Sequence, residues 1–156
     1  MKPRLKTCLL MCLLPASAHA DDPFRVSVAR MFDRTAADVS YRFFSTIASG
    51  DDQDIQNIQI RVTGGLGVVR WDTDHNGEGR IHADVSFGFG AKFFSIGPFV
   101  TSGATGGPAL GIRSSFGWQT RRGGLFAAGY WEHAAGLPFM QRGNRAGIGV
   151  QAGFSF

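Results

Sequence analysis

The last ten residues, Gly147-Ile148-Gly149-Val150-Gln151-Ala152-Gly153-Phe154-Ser155-Phe156, alternate without a break. Ile148, Val150, Ala152, Phe154 and Phe156 form one face. Glycine, Gln151 and Ser155 form the other. A period of two places successive side chains on opposite faces of a β-strand. One face is large and apolar, the other small or polar.

The same pattern recurs upstream. Ile81, Ala83, Val85, Phe87 and Phe89 stand against His82, Asp84, Ser86, Gly88 and Gly90. Ile58, Ile60, Val62, Gly64, Leu66 and Val68 stand against Gln59, Arg61, Thr63, Gly65 and Gly67. Val39, Tyr41, Phe43 and Ile47 oppose Ser40, Arg42, Phe44 and Thr46. Leu110, Ile112, Phe116 and Trp118 oppose Gly111, Arg113, Ser115 and Gly117. The spacing predicts eight strands, at 24–32, 39–47, 57–71, 80–90, 92–101, 109–119, 124–133 and 145–156. No sustained helical period follows residue 20.

The start of the chain reads differently. Lys2, Arg4 and Lys6 are a basic segment, residues 8–14 are apolar, and Ala18-His19-Ala20 is a small-x-small site. This is the layout of a cleaved export signal. The expected mature domain is 21–156, cut after Ala20. Losing three of 16 basic residues leaves 13 against 12 acidic ones. That near-neutral balance argues against a nucleic-acid partner. Cys8 and Cys12 leave with the signal, so no mature thiol or disulfide is expected. All 22 glycines and all 14 phenylalanines belong to the mature part.

An even number of amphipathic strands suits a closed antiparallel barrel. Glycine-rich polar faces fit the narrow lumen of an eight-stranded one. The expected fold is therefore all-β, an eight-stranded antiparallel transmembrane β-barrel in the bacterial outer membrane. A soluble barrel is the alternative. It would put Phe and Ile inside and leave a glycine-rich exterior. Phe154 and Phe156, ending the final strand, are similar to the signal read by the outer-membrane assembly machinery.

Termini in the periplasm would place the stretches at 48–56, 90–92 and 120–123 on that side. The loops 72–79, 102–108 and 134–144 would then face outward. Tyr41, Trp71, Trp118, Tyr130 and Trp131 are expected in the interfacial aromatic girdles.

The inner faces carry Arg42, Arg61, His82, Asp84 and Arg113. Three cations and one anion do not balance, so Glu132 is the expected counter-ion, on an inward face of Phe126, Ala128, Tyr130 and Glu132. A polar channel or proton path is one use of such groups. A lumen plug is the expected one, because buried charges must pair. Asp72, Asp74 and Asn76 have the spacing of the first half of a calcium loop. Ala83 stands where that loop needs its last carboxylate, so no metal is expected. No cofactor is expected either. Glu132 and His133 are the candidate acid–base residues, yet as strand neighbours they point to opposite faces.

The chain resembles the small eight-stranded outer-membrane barrels of Gram-negative bacteria, and among them the lipid A deacylases of the PagL type. The likeness lies in length, in Tyr41-Arg42, in the run from Ile60 to Trp71-Asp72, and in His133 ahead of Gly136-Leu137-Pro138. It implies contact with outer-membrane lipids and lipopolysaccharide. Those enzymes carry His-x-Ser followed by an acid. Here Ala135 is the second residue after His133, and no Asp or Glu follows it. Without a hydroxyl no acyl-serine forms. The expected role is structural, surface-interacting or lipid-contacting, with a lipid A acyl-ester hydrolase as the alternative.

Overall fold

The computed structural model describes residues 23–48, 58–73, 77–103, 107–120, 124–136 and 145–156. The export signal and its cleavage site lie outside these residues, as do Asp74, Asn76 and most of the 48–56 and 134–144 stretches.

The described residues form eight strands: β1 (Phe24–Met31), β2 (Arg34–Ala48), β3 (Ile58–Trp71), β4 (Gly77–Phe89), β5 (Lys92–Thr101), β6 (Ala109–Gln119), β7 (Gly124–Gly136) and β8 (Arg145–Ser155). Each pairs antiparallel with the next, and β8 closes on β1, giving a barrel without an edge. Closure satisfies backbone groups that an open sheet would expose. At the seam the Phe156 amide donates to the Phe24 carbonyl at 2.9 Å, and the Phe24 amide returns a bond of 3.1 Å. No helix is present among the described residues.

Three boundaries differ from the sequence reading by three or more residues. β2 begins at Arg34 rather than 39, β4 at Gly77 rather than 80, and β7 runs to Gly136 rather than 133. The extra segments of β2 and β4 carry charge on one face and small residues on the other, and that of β7 is Ala134-Ala135-Gly136, so all three lack a large apolar face that marks them as strand. Part of the expected outer loops 72–79 and 134–144 is therefore strand.

The alternation partitions the side chains cleanly. Leu66, Ile81, Leu125, Ile148 and Val150 on the outside are each 63–67 % exposed. Among the described strand residues, outward positions carry Asp, Glu, Lys or Arg only at Arg30, Arg70 and Lys92, all at strand ends. Inside, space is short. A Cβ on Gly97 would fall 1.8 Å from the Ala83 carbonyl oxygen, so only glycine fits between β4 and β5 there. Gly90, at φ 64°, turns the tight β4–β5 hairpin.

Among the described residues, β2 contains the one register shift, between Arg42 and Phe44. A bulge adds one residue and flips the faces beyond it. Phe43 and Phe44 both point out, and Thr46 follows Phe44. Phe44 and Thr46 were expected on the inner face; the bulge moves them. Trp71 and Tyr130 are corrected too. Tyr130 is 3 % exposed in the interior with Met31, Ala36 and Val69, and Trp71 packs against that cluster rather than in a girdle. At the end holding both described termini, Phe154, Phe156, Phe24, Tyr41 and Phe43 form a chain of ring contacts on the outer surface.

Candidate functional site

Inward positions of four strands converge on one layer of charge. β2 supplies Arg34 and Asp38. β4 supplies Glu78, Arg80, His82 and Asp84 at every second residue. β6 supplies Arg113, and β7 supplies Tyr130 and Glu132. All are buried.

Glu132 is held from three sides. Arg34 Nε donates to Oε1 at 2.8 Å. Arg80 Nη1 donates to Oε2 at 3.0 Å, and the Tyr130 hydroxyl donates to the same oxygen at 2.7 Å. Arg80 also grips Asp38 with both Nε, at 2.7 Å, and Nη2. Arg113 reaches Asp38 at 3.2 Å and grips Asp84 through Nε at 2.9 Å and through Nη2. His82 Nδ1 lies 2.9 Å from Asp84 Oδ2 and 2.6 Å from Arg113 Nη2. Its Nε2 makes no hydrogen bond and faces Asp38 Oδ1 at 3.8 Å. Three guanidiniums thus bridge three carboxylates, two of them in the planar two-bond geometry that arginine favours.

Of the residues singled out from sequence, His82, Asp84, Arg113 and Glu132 meet in this layer. Arg42 and Arg61 do not bond Asp84. They lie nearer the end that holds the termini, where Arg61 donates to Gln119 at 3.0 Å and to Gln59. In the same region the Arg25 guanidinium stacks 3.4 Å above the Phe126 ring and 5.1 Å from Phe93. The missing negative charge comes from Asp38 as well as Glu132. Arg34, Asp38, Glu78 and Arg80 escaped the sequence reading. An alternation of Thr35, Ala37 and Val39 against Arg34, Asp38 and Ser40 was the available signal.

Little space is left inside. A cavity of about 20 Å³ lies among Ser27, Ser40, Ser95, Ser115 and Gln151 on one side of the layer. Another of about 20 Å³ lies beside Arg34, Trp71 and Arg145 on the other. Each has room for about one water. Trp71 is flanked there by two guanidiniums, Arg34 and Arg145, each 4.5 Å from its ring.

His133 sits apart from all of this. It is on the outer face of β7, half-buried, its ring stacked on Trp131 at 6.3 Å. Glu132 points the other way and makes no bond to it. Ser114 is outward on β6, opposite Trp131. Asp72 is engaged by Arg30 through two hydrogen bonds of 2.8 and 2.6 Å. The arginine holds the Asp72 carboxyl below its usual range. Among the described residues no group of three or more His, Cys, Asp or Glu is placed to hold a metal ion.

Comparison with known proteins found no matching family model, no similar curated protein and no similar solved structure.

Proposed function

We propose that this protein is a small integral barrel of the bacterial outer membrane, exported by its N-terminal signal, with a structural, surface-interaction or lipid-contact role rather than a catalytic one. One observation carries the reading: the polarity of the barrel is inverted relative to a soluble protein. The belt between strand ends is apolar and free of Asp, Glu, Lys and Arg, while the charged groups pair inside. Contiguous apolar surface on that scale is unfavourable in water and favourable against lipid. Rings at the terminal end, including Phe24, Tyr41 and Phe156, suit an interfacial belt. The charged lumen acts as a plug that ties distant strands together.

The test is refolding of the chain from Asp21 onward. It should require detergent or lipid, and its folded form should migrate differently from the boiled form on a gel. A monomer that stays folded in plain buffer would overturn the reading.

The second reading is a lipid A acyl-ester hydrolase. His133 on the outer face favours it, and Ala135 in place of a serine opposes it. Mass spectrometry of lipid A from cells with and without the protein separates the two. Loss of an acyl chain only when the protein is present would select the hydrolase.

A further inference from the structure

Between the charge layer and the end that holds the termini, the lumen is lined at one level by hydroxyls and an amide. Ser27, Ser40, Thr63, Ser95, Ser115 and Gln151 come from six of the eight strands and border one cavity of about 20 Å³. Ser95 and Ser115 are register partners and share one hydrogen bond of 2.6 Å, which uses one of their two protons. Ser27 accepts from the Gln151 amide at 3.0 Å, so its own proton can turn into the cavity.

Arg25 borders the same cavity, its guanidinium laid over the Phe126 and Phe93 rings. Its Nε is buried and makes no hydrogen bond, and among the described residues no carboxylate forms an ion pair with it. Asp84 and Arg113 border the cavity too. Arg113 bonds both Asp84 oxygens, so these two charges cancel. Behind them three guanidiniums already meet three carboxylates, and Glu78 and Arg145 stand together at the other cavity, beyond that layer. The described inward residues on the side of the termini include no Asp or Glu. Arg25 therefore brings one positive charge to a ring of neutral hydrogen-bond donors. A buried charge without a partner is unfavourable. One small anion would remove that penalty and accept the donors at the same time.

We infer that this cavity binds one chloride ion, held by Arg25 and by the hydroxyl protons of Ser27 and of the Ser95–Ser115 pair. A chloride ion is little larger than the single water for which the cavity has room, whereas phosphate, sulfate and carboxylate groups are too bulky. A metal cation would meet the guanidiniums of Arg25 and Arg113. The site belongs to the lumen and does not depend on what meets the outer belt.

Urea unfolding of the full mature chain, folded in a non-ionic detergent, tests it at constant ionic strength with chloride exchanged for gluconate. One bound ion should lower the unfolding equilibrium constant by up to about tenfold for each tenfold rise in chloride. Arg25→Gln should lose this dependence. Ser27→Val, which removes a donor and fills part of the cavity, should lose it as well, and carries the test if Arg25→Gln does not fold. Arg145→Gln, at the other cavity, should keep it. Equal stability in chloride and gluconate would overturn the site and leave a cavity that holds water alone. So would a chloride dependence that persists in either Arg25→Gln or Ser27→Val, or one that is lost in Arg145→Gln.

Discussion

Arg113 on β6 donates a 3.2 Å hydrogen bond to Asp38 on β2, directly across the barrel, since the two strands are diametrically opposed in the closed ring of eight. A bond of that kind forms only where the lumen is narrow enough for side chains to meet in its middle. It also leaves no open path along the axis at that level. Arg113→Ala should destabilise the folded barrel by about 3–5 kcal/mol, because Asp38 and Asp84 lose a buried partner. Denaturant titration in detergent measures this. In planar bilayers the unaltered protein should show no porin-scale conductance, and steady large openings would refute the plug.

Neighbouring residues in β7 should behave oppositely. Glu132 is 4 % exposed and accepts from Arg34, Arg80 and Tyr130. Glu132→Ala should cost about 3–5 kcal/mol. His133→Ala removes a ring from the outer face and should be near neutral for stability. Equal effects of the two changes in the same unfolding assay would contradict the facing of β7.

Closure depends on the last residue. Phe156 exchanges two backbone hydrogen bonds with Phe24, and the two rings stack at 6.1 Å. Deleting Phe156 should reduce the folded, membrane-inserted fraction in cells more than deleting Gly103 does. Comparable insertion of the two variants, read by heat-modifiable migration, would remove the seam from the account.

At the rim, the Asp72 carboxyl should titrate below the ordinary value of about 3.9, because Arg30 stabilises its charged form. The sign follows from a depressed folded-state value: the contribution is present above the unfolded pKa and is lost as pH falls through the folded one. Both side chains are well exposed, so its effect on stability should be small. Carbon-13 NMR of the labelled carboxyl reads the midpoint, and an ordinary value would mean that the pair does not form in solution.

How much of this was legible in the sequence depended on what marks a strand. Where the outward residues are large, as in Ile148, Val150 and Phe154, the period of two identified both the strand and its faces. Where they are small, it failed. Gly77 and Gly79 gave no apolar face to betray Glu78 as a strand residue, and Arg34 and Asp38 read as loop because charge ordinarily ends a strand. Inside a polar lumen charge is the filling, so that cue inverts. The Phe43 bulge was invisible because Phe43-Phe44 supplies a large apolar residue to either face. Of the candidate site, the members at regular mid-strand positions were identified and those near the rim were missed. Their partners across the lumen are fixed by closure, which no local pattern encodes.

Fluorescence quenching by brominated lipids tests the inverted polarity most directly. In vesicles, single-tryptophan variants retaining Trp118 or Trp131, both on the outer face, should be quenched strongly. A variant retaining only Trp71, packed toward the interior between Arg34 and Arg145, should be quenched weakly. Strong quenching of Trp71 with little at Trp118 and Trp131, or none at any of the three, would contradict a barrel whose apolar face meets lipid.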